Sequence, residues 1–266
     1  MPRILSSKIQ CFTHKLNSGA FKVFEQDGMN LNVIAIREDN FILEISDILD
    51  PSLDDDAFAK KSHAVFNLYL VALNVCTLGL FLGHDRKYLS PSYKFTDTKK
   101  RRVSGGVIVH EIFDTDLSGQ NIDQNQIIES VLLYGALAKE KNEELVSEYL
   151  KGLIHLSLNY PGAHFEKDAF ANFYRTFEHL VTDRMLGKKK LKNELNEISE
   201  ALKSLGLSSE LIEEFKKLYV IRGSQAMHSQ RAPDRISRED TMKMKVFTDV
   251  VVYRVYKSIW EAGINK

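Results

Sequence analysis

The segment Ile221-Arg222-Gly223-Ser224-Gln225-Ala226-Met227-His228-Ser229 sets a permanent cation six residues before an imidazole. A guanidinium holds phosphate through forked donors, and an imidazole exchanges a proton near neutral pH, so the two groups suit chemistry on a phosphate ester. Ser224, Gln225 and Ser229 could add hydrogen bonds to a substrate, and Glu178 is a further polar candidate for contact with it. On a regular helix Arg222 and His228 stand about 120° apart around the axis and about 9 Å along it, so they do not share a face. To meet one phosphate, either the helix loosens between them or a second copy of the motif comes from a symmetry-related subunit. Gly223 costs about 1 kcal/mol in a helix interior and permits the first. A plainer reading of the same residues pairs Arg222 with a carboxylate such as Glu178 and leaves His228 to end a helix at its negative pole.

Other chemistry finds less support. Lys99-Lys100-Arg101-Arg102 before Ser104-Gly105-Gly106 could bind phosphate but reads first as a solvated hairpin loop, and Lys188-Lys189-Lys190 as a charged helix start. His110-Glu111 lacks the second His of a zinc-protease helix, since position 114 is Asp114, and the 8 His and 2 Cys form no metal-ligand spacing. No GxxxxGK[ST], GxGxxG or GxSxG pattern occurs, so no metal or cofactor is expected, and nucleotide hydrolysis, dinucleotide binding and α/β-hydrolase chemistry lack a motif.

These residues sit in an ordinary globular composition. The 266 residues are 44% hydrophobic and 27% charged, which excludes wholesale disorder and leaves ample length for a core. The 36 basic and 36 acidic residues cancel, so attraction to a polyanion requires local segregation of charge. Between Lys216 and Lys266, 11 Lys or Arg face 5 Asp or Glu, a basic surplus around the motif. Cys11 and Cys76 lie among apolar neighbours, and the first residues, Met1-Pro2-Arg3-Ile4-Leu5-Ser6-Ser7-Lys8, lack the apolar core of a signal peptide, so a cytoplasmic protein is expected.

Strand signals dominate early: Ile9–Thr13, Phe21–Phe24 and Leu31–Ile36, separated by Asn17-Ser18-Gly19 and Asp27-Gly28, read as a small antiparallel sheet. A helix opens after Asp50-Pro51-Ser52, with Asp54, Asp55 and Asp56 at its positive end. It runs into 20 uncharged residues, Ala64 to Gly83, of which 15 are hydrophobic. That length fits a membrane span, but Asn67, Asn74 and Thr77 favour a helix buried in a folded domain, with no membrane contact. Extended structure returns around Tyr93–Phe95 and Val107–Val109.

Helices then take over from Asp123. One ends near Asn159, and Phe170, Phe173, Tyr174, Phe177, Leu180 and Val181 form the apolar stripe of the next, stopped by Gly187. Leu191, Leu195, Ile198, Leu202 and Leu205 mark a helix ending at Gly206, and Leu211, Phe215 and Leu218 mark another that ends no later than Pro233. Ser237 with Asp240 forms a capping box before a last helix carrying Met244, Phe247, Val251, Val255 and Ile259. The expected fold is α+β: a mixed strand and helix region over residues 1–122, of open role, followed by an antiparallel helical bundle over 123–266.

An Arg followed at this spacing by a His near the end of the penultimate major helix of an α-bundle resembles the HEPN family (higher eukaryotes and prokaryotes nucleotide-binding). The helix Asp168-Ala169-Phe170-Ala171-Asn172-Phe173-Tyr174-Arg175-Thr176-Phe177-Glu178 is similar to the aromatic and acidic helix that family often carries. The likeness covers residues 140 to 266, and some larger members carry an N-terminal extension of mixed strands and helices. Gly223 stands where many members have a polar residue. The resemblance implies a metal-independent endoribonuclease, acting in antiviral defence, a toxin–antitoxin pair or a stress response, with RNA as partner and a homodimer whose paired motifs form one site. In that chemistry the ribose 2′-hydroxyl is the internal nucleophile, Arg222 holds the phosphate and His228 moves a proton. The rival expectation is a non-catalytic module of the same fold that binds nucleic acid or another protein.

Overall fold

The computed structural model describes residues 3–11, 13–15, 24–26, 29–37, 40–47, 54–83, 93–96, 102–105, 120–122, 124–140, 142–158, 165–188, 191–223 and 236–264. Helices carry most of them. The chain divides into two compact units, Met1–Val131 with Ser157–Pro161 and Leu132–Leu156 with Gly162–Lys266.

In the first unit, β1 (Arg3–Cys11), β3 (Phe24–Gln26), β4 (Met29–Arg37), β5 (Asn40–Asp47) and β6 (Phe81–Gly83) form a sheet in the order β3-β4-β5-β1-β6. β5 pairs antiparallel with β1 from Arg3↔Asp47 to Gln10↔Asn40 and with β4 on its other side. β5 carries no period-two signature: Phe41-Ile42-Leu43-Glu44-Ile45 is nearly continuous in apolar residues, so a search for alternation passes over it. The short β2 (His14–Lys15) pairs in parallel with β9 (Gln120–Asn121), and β7 (Tyr93–Thr96) with β8 (Arg102–Gly105) as a hairpin. Residues Phe21–Val23, Lys99–Arg101 and Val107–Glu111, for which the sequence raises expectations, lie outside the described residues.

Helix α1 (Asp55–Thr77) is capped by Asp54, whose carboxylate accepts from the Ala57 backbone N–H at 2.7 Å. The uncharged run does not continue as a helix to Gly83. It stops at Thr77, Leu78 turns into the left-handed region (φ 53°), and Phe81–Gly83 joins the sheet beside β1. Two buried polar side chains enforce the stop. Asn74 accepts from Phe81 N at 3.1 Å and donates to Phe81 O at 2.9 Å, acting as that residue's pairing partner. Thr77 Oγ1 accepts from Gly79 N at 3.1 Å. The Gly79 and Phe81 N–H groups and the Phe81 carbonyl are thereby paired. Among the described residues, no helix is long and apolar enough to cross a membrane.

The second unit is a helical bundle. Helix α2 (Gln124–Lys139) crosses the border between units and is followed by α3 (Glu143–Ser157), α4 (Glu166–His179), α5 (Glu194–Ser204), α6 (Ser209–Ile221) and α7 (Arg238–Ile264). α4 widens into a π-helical turn, Leu180–Met185, and the positive φ of Gly187 (60°) follows. α5 begins at Glu194 rather than near Leu191, because Glu197 accepts from the backbone N–H groups of Lys192 and Asn193 and caps it there. In α6 the inward residues are Ile212, Phe215 and Leu218, while Leu211 is 39% exposed, a one-position rotation from the expected stripe. Ser237 and Asp240 form the capping box of α7, each backbone N–H donating to the other's side chain.

The bundle is not antiparallel throughout. Thr241 Oγ1 donates to Glu166 O and Thr248 Oγ1 to Phe173 O, so α4 and α7 advance together, seven residues for seven. α3 runs against both: Tyr149 meets Asp249 while Arg238 donates to Leu156 O, and Asn172 meets His155 while Arg175 meets Glu148. Two helices intervene between α4 and α7, which gives the chain the length to return in the same direction. The core is aromatic. Phe177, Phe215 and Phe247 bring rings from α4, α6 and α7 within 5.1–5.5 Å of one another.

Candidate functional site around Arg222

The buried stripe of α6 fixes where Arg222 points. Phe215 and Arg222 are seven residues apart, two helical turns, so the guanidinium leaves the helix on its inward face. On α4, Tyr174 and Glu178 are one turn apart and present the same face to it. Arg222 Nη2 donates to Glu178 Oε1 at 3.2 Å, and Nη1 donates to Glu194 Oε2, at the start of α5, at 3.4 Å. Tyr219 Oη donates to the same Glu194 Oε2 at 2.9 Å. The Arg222 Cζ lies 5.0 Å from the Tyr174 ring centroid and 5.6 Å from that of Tyr219. Three helices thus converge on one cation, whose side chain is 20% exposed.

Charge states follow from this enclosure. Burial works against the Arg222 charge, but Tyr174, Glu194 and Glu178 outweigh it and hold the guanidinium above its ordinary value. Burial pushes the Glu178 carboxyl up, only partly countered by Arg222, with Glu194 and Asp183 adding to the rise. Glu178 is therefore held above the ordinary carboxylate range although a fixed cation lies beside it.

Glu178 and Glu194 also line a cleft of about 690 Å³ together with Glu144, Glu148, Arg175 and Asp183. His179 stands in the same lining, its Nδ1 2.7 Å from Asp183 Oδ2 on the π-helical turn. The cleft is rich in carboxylate, and Arg175 is its lining cation. Among the described residues, no group of three or more His, Cys, Asp or Glu side chains is arranged to hold a metal ion.

Of the residues singled out from sequence, Arg222 and Glu178 are brought together. His228, Ser224, Gln225 and Ser229 lie outside the described residues, as does Pro233. α6 closes at Ile221, with Arg222 as its C-cap, earlier than Pro233 alone required. Glu194 and Tyr219 join the site without having been marked as candidates by the sequence. Tyr219 is one turn before Arg222, a spacing that signals contact, whereas nothing local connects Glu194 to a residue 28 positions later. The fully buried pair Lys245–Asp249 on α7, 2.6 Å apart, with Tyr149 Oη donating to Asp249 Oδ1, is likewise absent from the sequence expectations. Their i,i+4 spacing was visible, but α7 is buried over far more than one stripe, which places both inside.

Comparison of the chain with protein-family models, with curated proteins and with solved structures gives no match.

Proposed function

We propose that the chain joins an α+β N-terminal region to a HEPN-like helical domain, and that this domain is a metal-independent endoribonuclease. The observation that supports this best is the Arg222–Glu178 contact at 3.2 Å, in which a guanidinium is locked in place beside a carboxyl that burial has pushed up. Transphosphorylation of RNA needs a group to orient the phosphate, a group to accept the 2′-hydroxyl proton and a donor for the leaving oxygen. Arg222 takes the first role and His228 the proton transfer, with Glu178, Ser224, Gln225 and Ser229 in contact with substrate. Two copies of the motif across a two-fold axis complete the site in this reading, which makes the working form a homodimer.

A second reading is favoured by a different observation. Two carboxylates already engage the Arg222 guanidinium, and the neighbouring cleft is acidic. A module of the same fold that docks a protein, with Arg222 as a structural tie, would show the same geometry. Labelled RNA incubated with the purified protein in EDTA separates the two: cleavage that is lost in His228→Ala and Arg222→Ala variants with intact folding supports the enzyme. Absence of cleavage across salt and RNA conditions favours the module.

A further inference from the structure

Arg222 is the C-cap of α6, and helix termini are held less firmly than helix interiors. A long guanidinium side chain there keeps its rotamer freedom unless its neighbours take it away. Glu194, in the first turn of α5, supplies one hold: Arg222 Nη1 lies 3.4 Å from both of its carboxylate oxygens. That carboxylate is itself held. Tyr219 Oη donates to Glu194 Oε2 at 2.9 Å, closer than the arginine comes to the same oxygen. Tyr219 is three residues before Arg222, so both side chains leave α6 on one face and meet at one atom of α5. Burial and the bond to Glu194 push the Tyr219 ionisation above its ordinary value, so the phenol remains a donor. The start of α5 is fixed in turn by Glu197, which accepts from the Lys192 and Asn193 backbone N–H groups. The contacts to Glu178 and Glu194 take one hydrogen from each Nη, and a guanidinium carries two on each, so the hold leaves donors for a further acceptor.

We propose that Glu194 and Tyr219 are positioning residues that act through Arg222: the Tyr219 hydroxyl fixes the Glu194 carboxylate, and the carboxylate fixes the direction of the guanidinium. Neither residue touches the substrate. The inference rests on the RNA-cleaving reading for the reaction it serves, but not for the orientation of Arg222 itself.

Tyr219→Phe tests this relay, because it removes the hydroxyl and keeps the ring beside Arg222. Rotation about the Cζ–Nη bonds of an anchored guanidinium is slow, so nitrogen-15 arginine spectra of the full chain should show separate Nη signals for Arg222, assigned by their absence in Arg222→Lys. The signals should merge in Tyr219→Phe and in Glu194→Gln. In RNA cleavage each of these two variants should lose about tenfold or more in kcat, with KM within about twofold of the wild type, a split that lost folding would not give. The double variant should be no slower than Glu194→Gln alone, since the hydroxyl acts only through that carboxylate. Averaged Nη signals in the wild type, or signals that stay separate in Tyr219→Phe, would overturn the proposal. So would cleavage by Tyr219→Phe at the wild-type rate, or a double variant slowed by the product of the single losses. Each of these results leaves the endoribonuclease reading standing. A wild type that cuts no RNA, with Nη signals that still answer to Tyr219 and Glu194, would remove that reading and keep the positioning of Arg222.

Discussion

Glu178 Oε1 and Arg222 Nη2 meet at 3.2 Å across 44 residues of sequence and tie α4 to α6. Glu194 brings α5 to the same cation, and rings from Tyr174 and Tyr219 flank it. Arg222→Ala should lower stability by about 1–3 kcal/mol, because two part-buried carboxylates are left facing one another. Arg222→Lys should recover part of that loss, since an ammonium keeps the charge and loses the fork. Urea midpoints for the two variants check both the sign and the order.

The raised Glu178 carboxyl gives a pH dependence of defined direction. It binds its proton more tightly folded than unfolded, so its contribution to stability is greatest at low pH. That contribution declines as pH rises from the ordinary glutamate value of about 4.3 and levels off once the folded-state carboxyl has ionised. Glu178→Gln removes this dependence while keeping an acceptor for Arg222. The stability difference between the two proteins should therefore move in favour of the glutamine variant with rising pH and then flatten. Denaturation series from pH 4 to pH 8 measure it. Asp249, which burial pushes up to about 6, changes wild type and variant alike and cancels in the comparison.

Lys245 and Asp249 test how the bundle tolerates charge in its core. Both side chains are fully buried at 2.6 Å, and burial pushes Lys245 down and Asp249 up. Lys245→Met alone should cost about 3–5 kcal/mol, since it strands a carboxylate without its cation. The double variant Lys245→Met, Asp249→Leu should be far less destabilised than the sum of the single changes, as seen in a double-mutant cycle by chemical denaturation.

Gly152 on α3 fixes the approach of α4. A Cβ there would stand 2.7 Å from Phe173 Cε1, with two more ring atoms at 2.9 Å. Phe173 is fully buried and a Cβ at that distance forces its ring to shift, so Gly152→Ala should lower stability by about 1–3 kcal/mol despite the better helix propensity of alanine. Calorimetry should show a reduced midpoint.

Much of the second unit was legible because its helices carry strong local signals. The stripe Phe170, Phe173, Tyr174, Phe177 is buried throughout, and Gly187 and Gly206 hold positive φ at the ends of their segments. What escaped was non-local. Helix α7 runs parallel to α4 because of hydrogen bonds between residues 75 positions apart, and no periodicity encodes that. The end of α1 at Thr77 depends on Asn74 capturing Phe81, so a hydropathy window sees only one long apolar run. At the site, Glu178 was identifiable as an acidic residue at the end of an aromatic helix, but the Glu194 contact exists only once α5 and α6 have packed.

RNA cleavage in EDTA separates an endoribonuclease from a non-catalytic module. Wild-type protein, confirmed as folded and sized by light scattering, is incubated with end-labelled RNA beside His228→Ala and Arg222→Ala. The expected result is a homodimer that cuts RNA without metal, a loss of at least about a hundredfold in either variant, and cleavage ends bearing a 2′,3′-cyclic phosphate. A folded wild type that leaves RNA intact under all conditions, or variants that cut as fast as the wild type, would exclude an RNA-cleaving site built on Arg222 and His228.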